Sequence, residues 1–375
     1  MARLVYGVTV PTSAVSLLRG QLEWMGSRGW DVHLVTSPGE EFGIVAARPG
    51  VTAHELAMQR EPAPVADAKS LVAWIRLLRR LKPDVVSVGT PKAGLLGTIA
   101  AWVCRVPRRV YVVRGLRLEG ASGPLAAILW VLERLTATLA TDVVAVSHSL
   151  ARELAARRLT PRRRPAVVIG SGSSNGVDAA AVAAATAGQR ERLRARLGIA
   201  EDAVVVGLVG RLTPDKGLNT VLGALRDPSL AQREDIVLLV MGEVEDAGTA
   251  ALLDDVAGRI VQIGYQDEPW PWYAAMDLLC LPTRREGFPN VVLEASAAGI
   301  PTVTTRATGA VDSVLDGQTG ILVDVDDAAG LADAIRCLAD QPEERRRMGR
   351  KAKDRAVKEF QPERVWAGLE AIYRR

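Results

Sequence analysis

Two stretches of the chain concentrate side chains that could do chemistry. REGFPNVVLEASAAGIP, from Arg285 to Pro301, sets Glu286 and Glu294 eight positions apart in an apolar, small-residue run. GRLTPDKG, from Gly210 to Gly217, puts Arg211 and Lys216 on one short turn. Two cations on a loop suit a diphosphate, the arginine through its planar fork and the lysine as a compact charge. Each group alone has an ordinary reading: Glu294 complements a helix dipole at roughly 0.3–1 kcal/mol, and the others are solvated loop charges. Taken together, and each following a strand-like segment, they favour a ligand site at the carboxyl edge of a parallel sheet.

The neighbouring residues indicate what would hold these groups. Val291, Val292, Leu293, Ala295, Ala297 and Ala298 make most faces of a helix apolar, as expected of one packed against a sheet. Asn290 reads as its N-cap, which puts Glu294 about one turn in and Glu286 in the preceding loop, both toward the same end.

Short β-branched runs alternate with amphipathic stretches in the first half: RLVYGVTV from Arg3, DVHLV from Asp31, DVVSV from Asp84, RVYVV from Arg109, DVVAV from Asp142 and AVVI from Ala166. Helical segments such as SLVAWIRLLRRL and GPLAAILWVLERLTATLA lie between them. The pattern restarts with AVVVGLV from Ala203, DIVLLV from Asp235, RIVQI from Arg259, DLLCL from Asp277, PTVTT from Pro301 and GILV from Gly320. Such alternation marks βαβ units and parallel sheets. A chain of 375 residues exceeds the single-core limit of roughly 250–300, so two doubly wound α/β halves are expected. The join falls in GSGSSNGVDAAAVAAATAGQ, from Gly170 to Gln189, read as an interdomain linker. The expected division is 1–180, 181–358 and a terminal helix over 359–375 that could pack back on the first domain.

Composition narrows the function classes. With 24% charged and 48% apolar residues the chain is globular rather than disordered. Cys104, Cys280 and Cys337 lack CxxC spacing, and His33, His54 and His148 are not paired with carboxylates at metal-binding intervals, so no metal site is expected. Arg157, Arg158, Arg162, Arg163 and Arg164 form one basic group, with Arg105, Arg108 and Arg109 in a second, and suit phosphates or an anionic membrane. Aromatic residues are only 4% and do not interleave with the basic ones, so nucleic acid is not an expected partner. No cleavable signal pattern and no apolar run of ~20 residues occurs, which places the protein in the cytoplasm, at most at the inner face of the membrane. GSGSSNG departs from the dinucleotide fingerprint at Asn175, and VGRLTPDKGL lacks the Gly-Lys-Ser/Thr order of a P-loop.

GRLTPDKG with EGFPNVVLE resembles the retaining glycosyltransferases of family 4, and VTVPTSAVSLLRGQL, TPKAGLLG, RGLRLE, GSGSSNGVD and DGQTGILV agree with it. The resemblance implies a GT-B fold of two facing Rossmann-like domains with the donor site in the cleft between them. It implies that Glu286 contacts the donor sugar's hydroxyls, Glu294 the ribose, and Arg211 and Lys216 the leaving diphosphate. Gly210, Thr283, Gly287 and Phe288 would line the donor site, with the amides of Asn290, Val291 and Val292 on the phosphates and Gly264 and Tyr265 near the base. Thr12, Thr90, Lys92 and Arg114 would lie on the acceptor side. Many relatives carry a histidine at or near Gly89, and VGTPK has none. The subset with these motifs builds surface polysaccharides or lipid-linked saccharides, commonly from UDP-sugars. The expected activity is therefore retaining, metal-independent transfer of a hexose or N-acetylhexosamine from a nucleotide-diphosphate sugar to a saccharide or polyprenyl-linked saccharide, with no cofactor. A nucleotide-sugar epimerase, or a catalytically silent nucleotide-sugar-binding subunit, is the alternative on the same architecture.

Overall fold

The computed structural model describes residues 1–59, 61–243 and 259–375. Two compact units result, one formed by 1–175 with 362–375, the other by 176–361. The first holds β1 (Ala2–Gly7), β2 (Trp30–Thr36), β3 (Val51–Glu55), β4 (Val85–Val88), β5 (Arg108–Val113) and β6 (Asp142–Ala145), ordered β3-β2-β1-β4-β5-β6. The second holds β7 (Val204–Val209), β8 (Ile236–Met241), β9 (Ile260–Gly264), β10 (Leu278–Leu281), β11 (Thr302–Thr305) and β12 (Gly320–Val323), ordered β12-β11-β10-β7-β8-β9. All neighbouring strands run parallel. Counted from its own first strand, each sheet has the same order, and the order reverses between β1 and β4 and between β7 and β10. Ligands of doubly wound sheets bind at the carboxyl ends of the strands at such a reversal.

The inner strands of the second sheet are buried on both faces, since successive side chains point to opposite sides and helices cover each. Val206, Leu208, Leu238 and Val240 pack with Val221, Leu222, Leu331 and Ile335 on one side. Val205, Leu239, Leu279 and Leu281 meet Tyr273, Val292 and Ala295 on the other. Burying such side chains contributes about 1.5–3 kcal/mol each, and it anchors the helix Asn290–Ala297 against the sheet.

Three expectations shift. AVVI is not a strand but a single bridge, Val144 to Val167, because Pro165 removes a ladder donor ahead of it. The strand Val51–Glu55 went unnoticed in sequence because VTAHE, on the sheet's edge, mixes apolar and polar residues. The domain boundary lies at 175/176, not 180/181, and the return crossing follows Gln361. Asn175 fixes the boundary: its Nδ2 donates to the Arg19 carbonyl at 2.9 Å and its Oδ1 accepts from Trp366 Nε1 at 2.7 Å, all within the first unit. Residue 359 ends the preceding helix of the second unit, so the terminal helix starts at Pro362; it belongs to the first unit, where Tyr373 meets Ser87 at 2.9 Å. The alanine-rich part of the join is a helix, Ala179–Thr186, capped by the Asp178 side chain.

Candidate active site

After β7 the chain passes Gly210 and an exposed Arg211 into one 3-10 turn, Pro214–Lys216. After β10 it forms the loop 282–289 that leads into the helix Asn290–Ala297. The two loops are bonded together. The Asp215 carbonyl accepts from the Arg284 N–H at 2.8 Å and from Thr283 Oγ1 at 3.0 Å, while the Asp215 carboxylate accepts from Arg285 Nε at 3.2 Å. These bonds place the Lys216 ammonium on the Glu286 carboxylate. Both side chains are partly buried, so each compensates the other's charge.

A third loop supports Glu286 from behind. Its N–H donates to the Thr308 carbonyl at 2.9 Å. Gly309, at φ 77°, lies so close that an added Cβ would stand 2.4 Å from the carbonyl oxygens of Glu286 and Gly287. Only glycine fits there.

The helix entry differs from expectation. Pro289, not Asn290, is the N-cap and makes no side-chain cap; Asn290 is the first helical residue, and its Oδ1 is buried with no hydrogen-bond partner. Of the three amides expected on phosphates, that of Val292 donates to the Pro289 carbonyl at 3.2 Å, and the Val292 side chain is core. Glu294 follows one turn later, where its Oε2 accepts from the Tyr273 hydroxyl at 2.8 Å. Tyr273 is fully buried; burial first, then the Glu294 charge, pushes its phenol well above the ordinary value. It therefore remains a donor that orients the carboxylate. Glu286 and Glu294 are thus held by different partners on either side of the helix entry.

Three adjacent strands end in glycine: β7 before Gly210, β8 before Gly242 and β9 at Gly264, with φ of 129°, 151° and 65°. Among the described residues nothing lies within 4 Å of a Cβ added at Gly210 or Gly264, whereas a Cβ on Gly242 would meet the Gly210 carbonyl at 1.9 Å. Side-chain-free backbone thus ends these three strands, where a flat ring system can approach it, with Tyr265 exposed beside it. Sequence reasoning missed Gly242, although GLVG, LVMG and QIG repeat one strand-then-glycine signature. It missed Asp215, Arg285, Gly309 and Tyr273 too. Of the other candidates, Thr283 is fully buried and ties the loops, and Phe288 is buried with its ring centroid 5.4 Å from that of Phe360. Gly287 is buried between them.

In the first unit, Thr12, Thr90, Lys92 and Arg114 each bond to a partner within that unit. Thr12 donates to Glu41 at 2.9 Å on the surface. Thr90 is buried and bonded to Thr9 through both the Thr9 amide, at 2.9 Å, and its hydroxyl, at 2.8 Å. Lys92 donates to the Asp67 carboxylate at 2.6 and 2.7 Å. Arg114 donates to the Ser174 carbonyl at 2.8 Å, and burial brings its guanidinium down to about 10 despite the nearby Tyr373 and Tyr6. A side chain at Gly89 would meet Arg114 Nε at 2.9 Å, so the guanidinium fills the space where a histidine at 89 would have to stand.

Two Rossmann-like units with this loop chemistry define a GT-B glycosyltransferase. The family description Glycosyl transferases group 1 matches residues 189–355, and Glycosyl transferase 4-like domain matches residues 15–172. The capsular polysaccharide biosynthesis glycosyltransferase CapM of Staphylococcus aureus is 33% identical over 98% of this chain and 96% of its own. The UDP-Gal:alpha-D-GlcNAc-diphosphoundecaprenol alpha-1,3-galactosyltransferase of Escherichia coli is 25% identical over 74% of this chain and 71% of its own. HepE of Anabaena, solved with UDP and glucose, has the same fold, with a TM-score of 0.79 at 19% identity and 99% of each chain covered. The chain belongs to the family 4 glycosyltransferases of GT-B fold.

Proposed function

We propose that this protein transfers a hexose or N-acetylhexosamine from a UDP-sugar to a hydroxyl of a saccharide or polyprenyl-linked saccharide, with retention at the anomeric carbon and without a metal ion or other cofactor. The observation that carries the reading is the bonded pair of loops that brings Lys216 to Glu286 with Arg211 on the same turn. UDP in the HepE structure, and the donor and acceptor in the Escherichia coli relative's name, support the substrate classes.

On donor binding, the diphosphate takes Lys216 from Glu286, and the released carboxylate accepts from the donor sugar's hydroxyls. Glu294, oriented by Tyr273, holds the ribose. Gly264 and Tyr265 adjoin the base, and the amides of Asn290 and Val291 adjoin the phosphates at a helix N-terminus. As the bond from the anomeric carbon to the phosphate oxygen breaks, its electron pair moves onto the diphosphate. Arg211 and Lys216 engage that growing charge more strongly in the transition state than in the ground state. The acceptor oxygen bonds to the anomeric carbon on the face the diphosphate leaves, and its proton passes to a diphosphate oxygen. No enzymic base is required.

Incubation of the protein with UDP-sugars and a saccharide acceptor in EDTA, with NMR of the product, tests this. An α-linked product from an α-linked donor is expected. An inverted product, or activity lost in EDTA and restored by magnesium, overturns the mechanism, and an altered sugar nucleotide formed without acceptor identifies an epimerase.

A further inference from the structure

At the amino edge of the second sheet, across the sheet from the donor loops, the residues just ahead of β10 and β11 border an open recess of about 350 Å³, the size of a small-molecule site. The helices Arg190–Leu197 and Pro342–Glu359 bring Arg190 and Arg345 to its wall, and Arg346, paired with the exposed Glu343 of its own helix, stands at the rim. Asp277 is the one carboxylate among the described lining residues. It already accepts from the Val205 amide at 2.8 Å, from Arg190 Nη2 at 2.7 Å and from Arg194 Nη2 at 2.6 Å. Arg345 Nη2 stands 3.9 Å from it, beyond hydrogen-bond reach.

Three guanidiniums around one carboxylate leave two positive charges over. Arg194 is buried and committed to the Glu201 and Ala203 carbonyls, so the surplus falls to Arg190 and Arg345, whose side chains are 45 and 14% exposed. The crowding registers on Arg345: burial lowers its guanidinium, Asp277 opposes that, and Arg190 and Arg346 lower it further. A guanidinium fork takes two oxygens of a phosphate at once, and a phosphate dianion matches the surplus, whereas a carboxylate carries half that charge. We propose that this recess is a second anion site, separate from the donor loops, where Arg190, Arg345 and Arg346 hold phosphate or the phosphate group of a small phosphorylated molecule. The assignment goes beyond the transferase reading and does not depend on it.

Calorimetric titration of the full chain with inorganic phosphate and with glucose 1-phosphate, in a zwitterionic buffer with UDP saturating the donor loops, tests it. We expect saturable binding, weakened by salt as screening requires. Arg190→Gln with Arg346→Gln should weaken it at least tenfold. Arg345→Lys, which keeps the charge and loses the fork, should weaken it less, and Arg211→Ala on the donor loop should leave it unchanged. The Arg190/Arg346 pair should remain folded by circular dichroism yet lose the rise in Tm that phosphate gives the wild type, which separates lost binding from lost folding. Tighter binding of glucose 1-phosphate assigns the site to a phosphate ester, and equal binding of the two assigns it to phosphate itself. Absence of saturable binding, or binding that survives the Arg190/Arg346 pair, overturns the proposal and leaves these arginines as a structural tie to Asp277. Phosphate binding that this pair abolishes, in a protein that transfers no sugar, would uphold the site and refute the transferase reading.

Discussion

The two sheets share a strand order and a fastening at their amino edges, but differ in what surrounds it. In the first, the Arg3 N–H donates to Asp84, just ahead of β4, at 2.7 Å, while the Asp84 N–H donates back to the Arg3 carbonyl at 3.0 Å. In the second, Val205 and Asp277, just ahead of β10, repeat the exchange at 2.8 Å both ways. Asp84 is exposed, whereas Asp277 also binds Arg194, whose side chain is 3% exposed, at 2.6 Å, and Arg190 at 2.7 Å. The carboxyl edges diverge further. In the first unit Thr9 pairs with Thr90 and Lys92 with Asp67, whereas the second gathers a cation-carboxylate pair on two loops bonded together. The shared backbone sets where a site can form; the loops decide whether one does.

The largest expected effect tests the amino edges. Asp277→Asn leaves Arg194 buried without its counter-charge and should cost about 3–5 kcal/mol in urea unfolding, whereas Asp84→Asn removes an exposed bond worth about 1 kcal/mol or less. Equal losses would show that burial does not distinguish the two. Burial alone would raise the Asp277 carboxyl, but the Val205 amide and the two arginines outweigh it and hold it below the ordinary range. A depressed carboxylate contributes stability that is complete above the unfolded value near ~3.9 and is lost as pH falls through the folded one.

Next comes the carboxyl edge. Arg211→Ala or Lys216→Ala should lower turnover on the order of 10²–10³, as loss of one preorganised donor to a developing anion does. Lys92→Ala, in the first unit, should instead act on stability, since its charge is committed to Asp67. A drop in turnover for Lys92→Ala as large as for Lys216→Ala would restore it to the site. Smaller again, Tyr273→Phe should weaken nucleotide binding by about 1 kcal/mol, one hydrogen bond to a carboxylate, read by calorimetry with UDP. Unchanged affinity would detach Glu294 from the nucleotide.

The inner strands of the second sheet were legible in the sequence because β-branched runs buried on both faces stand out against amphipathic helices, and the edge strand Ile260–Gly264 because its run IVQI stays apolar at three of four positions. The edge strand Val51–Glu55 was not, since one-sided burial tolerates Thr52, His54 and Glu55. Arg211, Lys216, Glu286 and Glu294 were nameable because charges inside apolar segments attract notice. Gly309, Asp215 and Tyr273 were not: their contacts join loops far apart in sequence, and spacing carries no trace of them. The N-cap was misassigned for a local reason, in that Pro289 enters the helix one residue ahead of the better capping side chain.

A further effect, confined to acid pH, separates the units. In the first, His33 on β2 and His54 on β3 stack with centroids 5.1 Å apart, and Nδ1 of the former lies 2.9 Å from Nε2 of the latter. Asp31 lies 3.3 Å from the other nitrogen of His33. Burial, then His33 and Arg80, lower His54 to about 4. The equivalent strands β8 and β9, IVLLVM and IVQIG, carry no titratable side chain. Between the unfolded value near ~6.5 and the folded one, the unfolded chain takes up a proton that the native ring refuses. Native stability therefore falls as pH drops through that window, and above it His54 adds no pH dependence. With solvent reaching part of the ring, the full linkage is reduced to about 1–2 kcal/mol. His54→Gln should flatten the decline by that amount in amides of the first unit, followed by hydrogen exchange between pH 7 and 4.5, and leave those of the second unchanged. A decline of the same slope in the variant would assign the acid sensitivity to carboxylates instead.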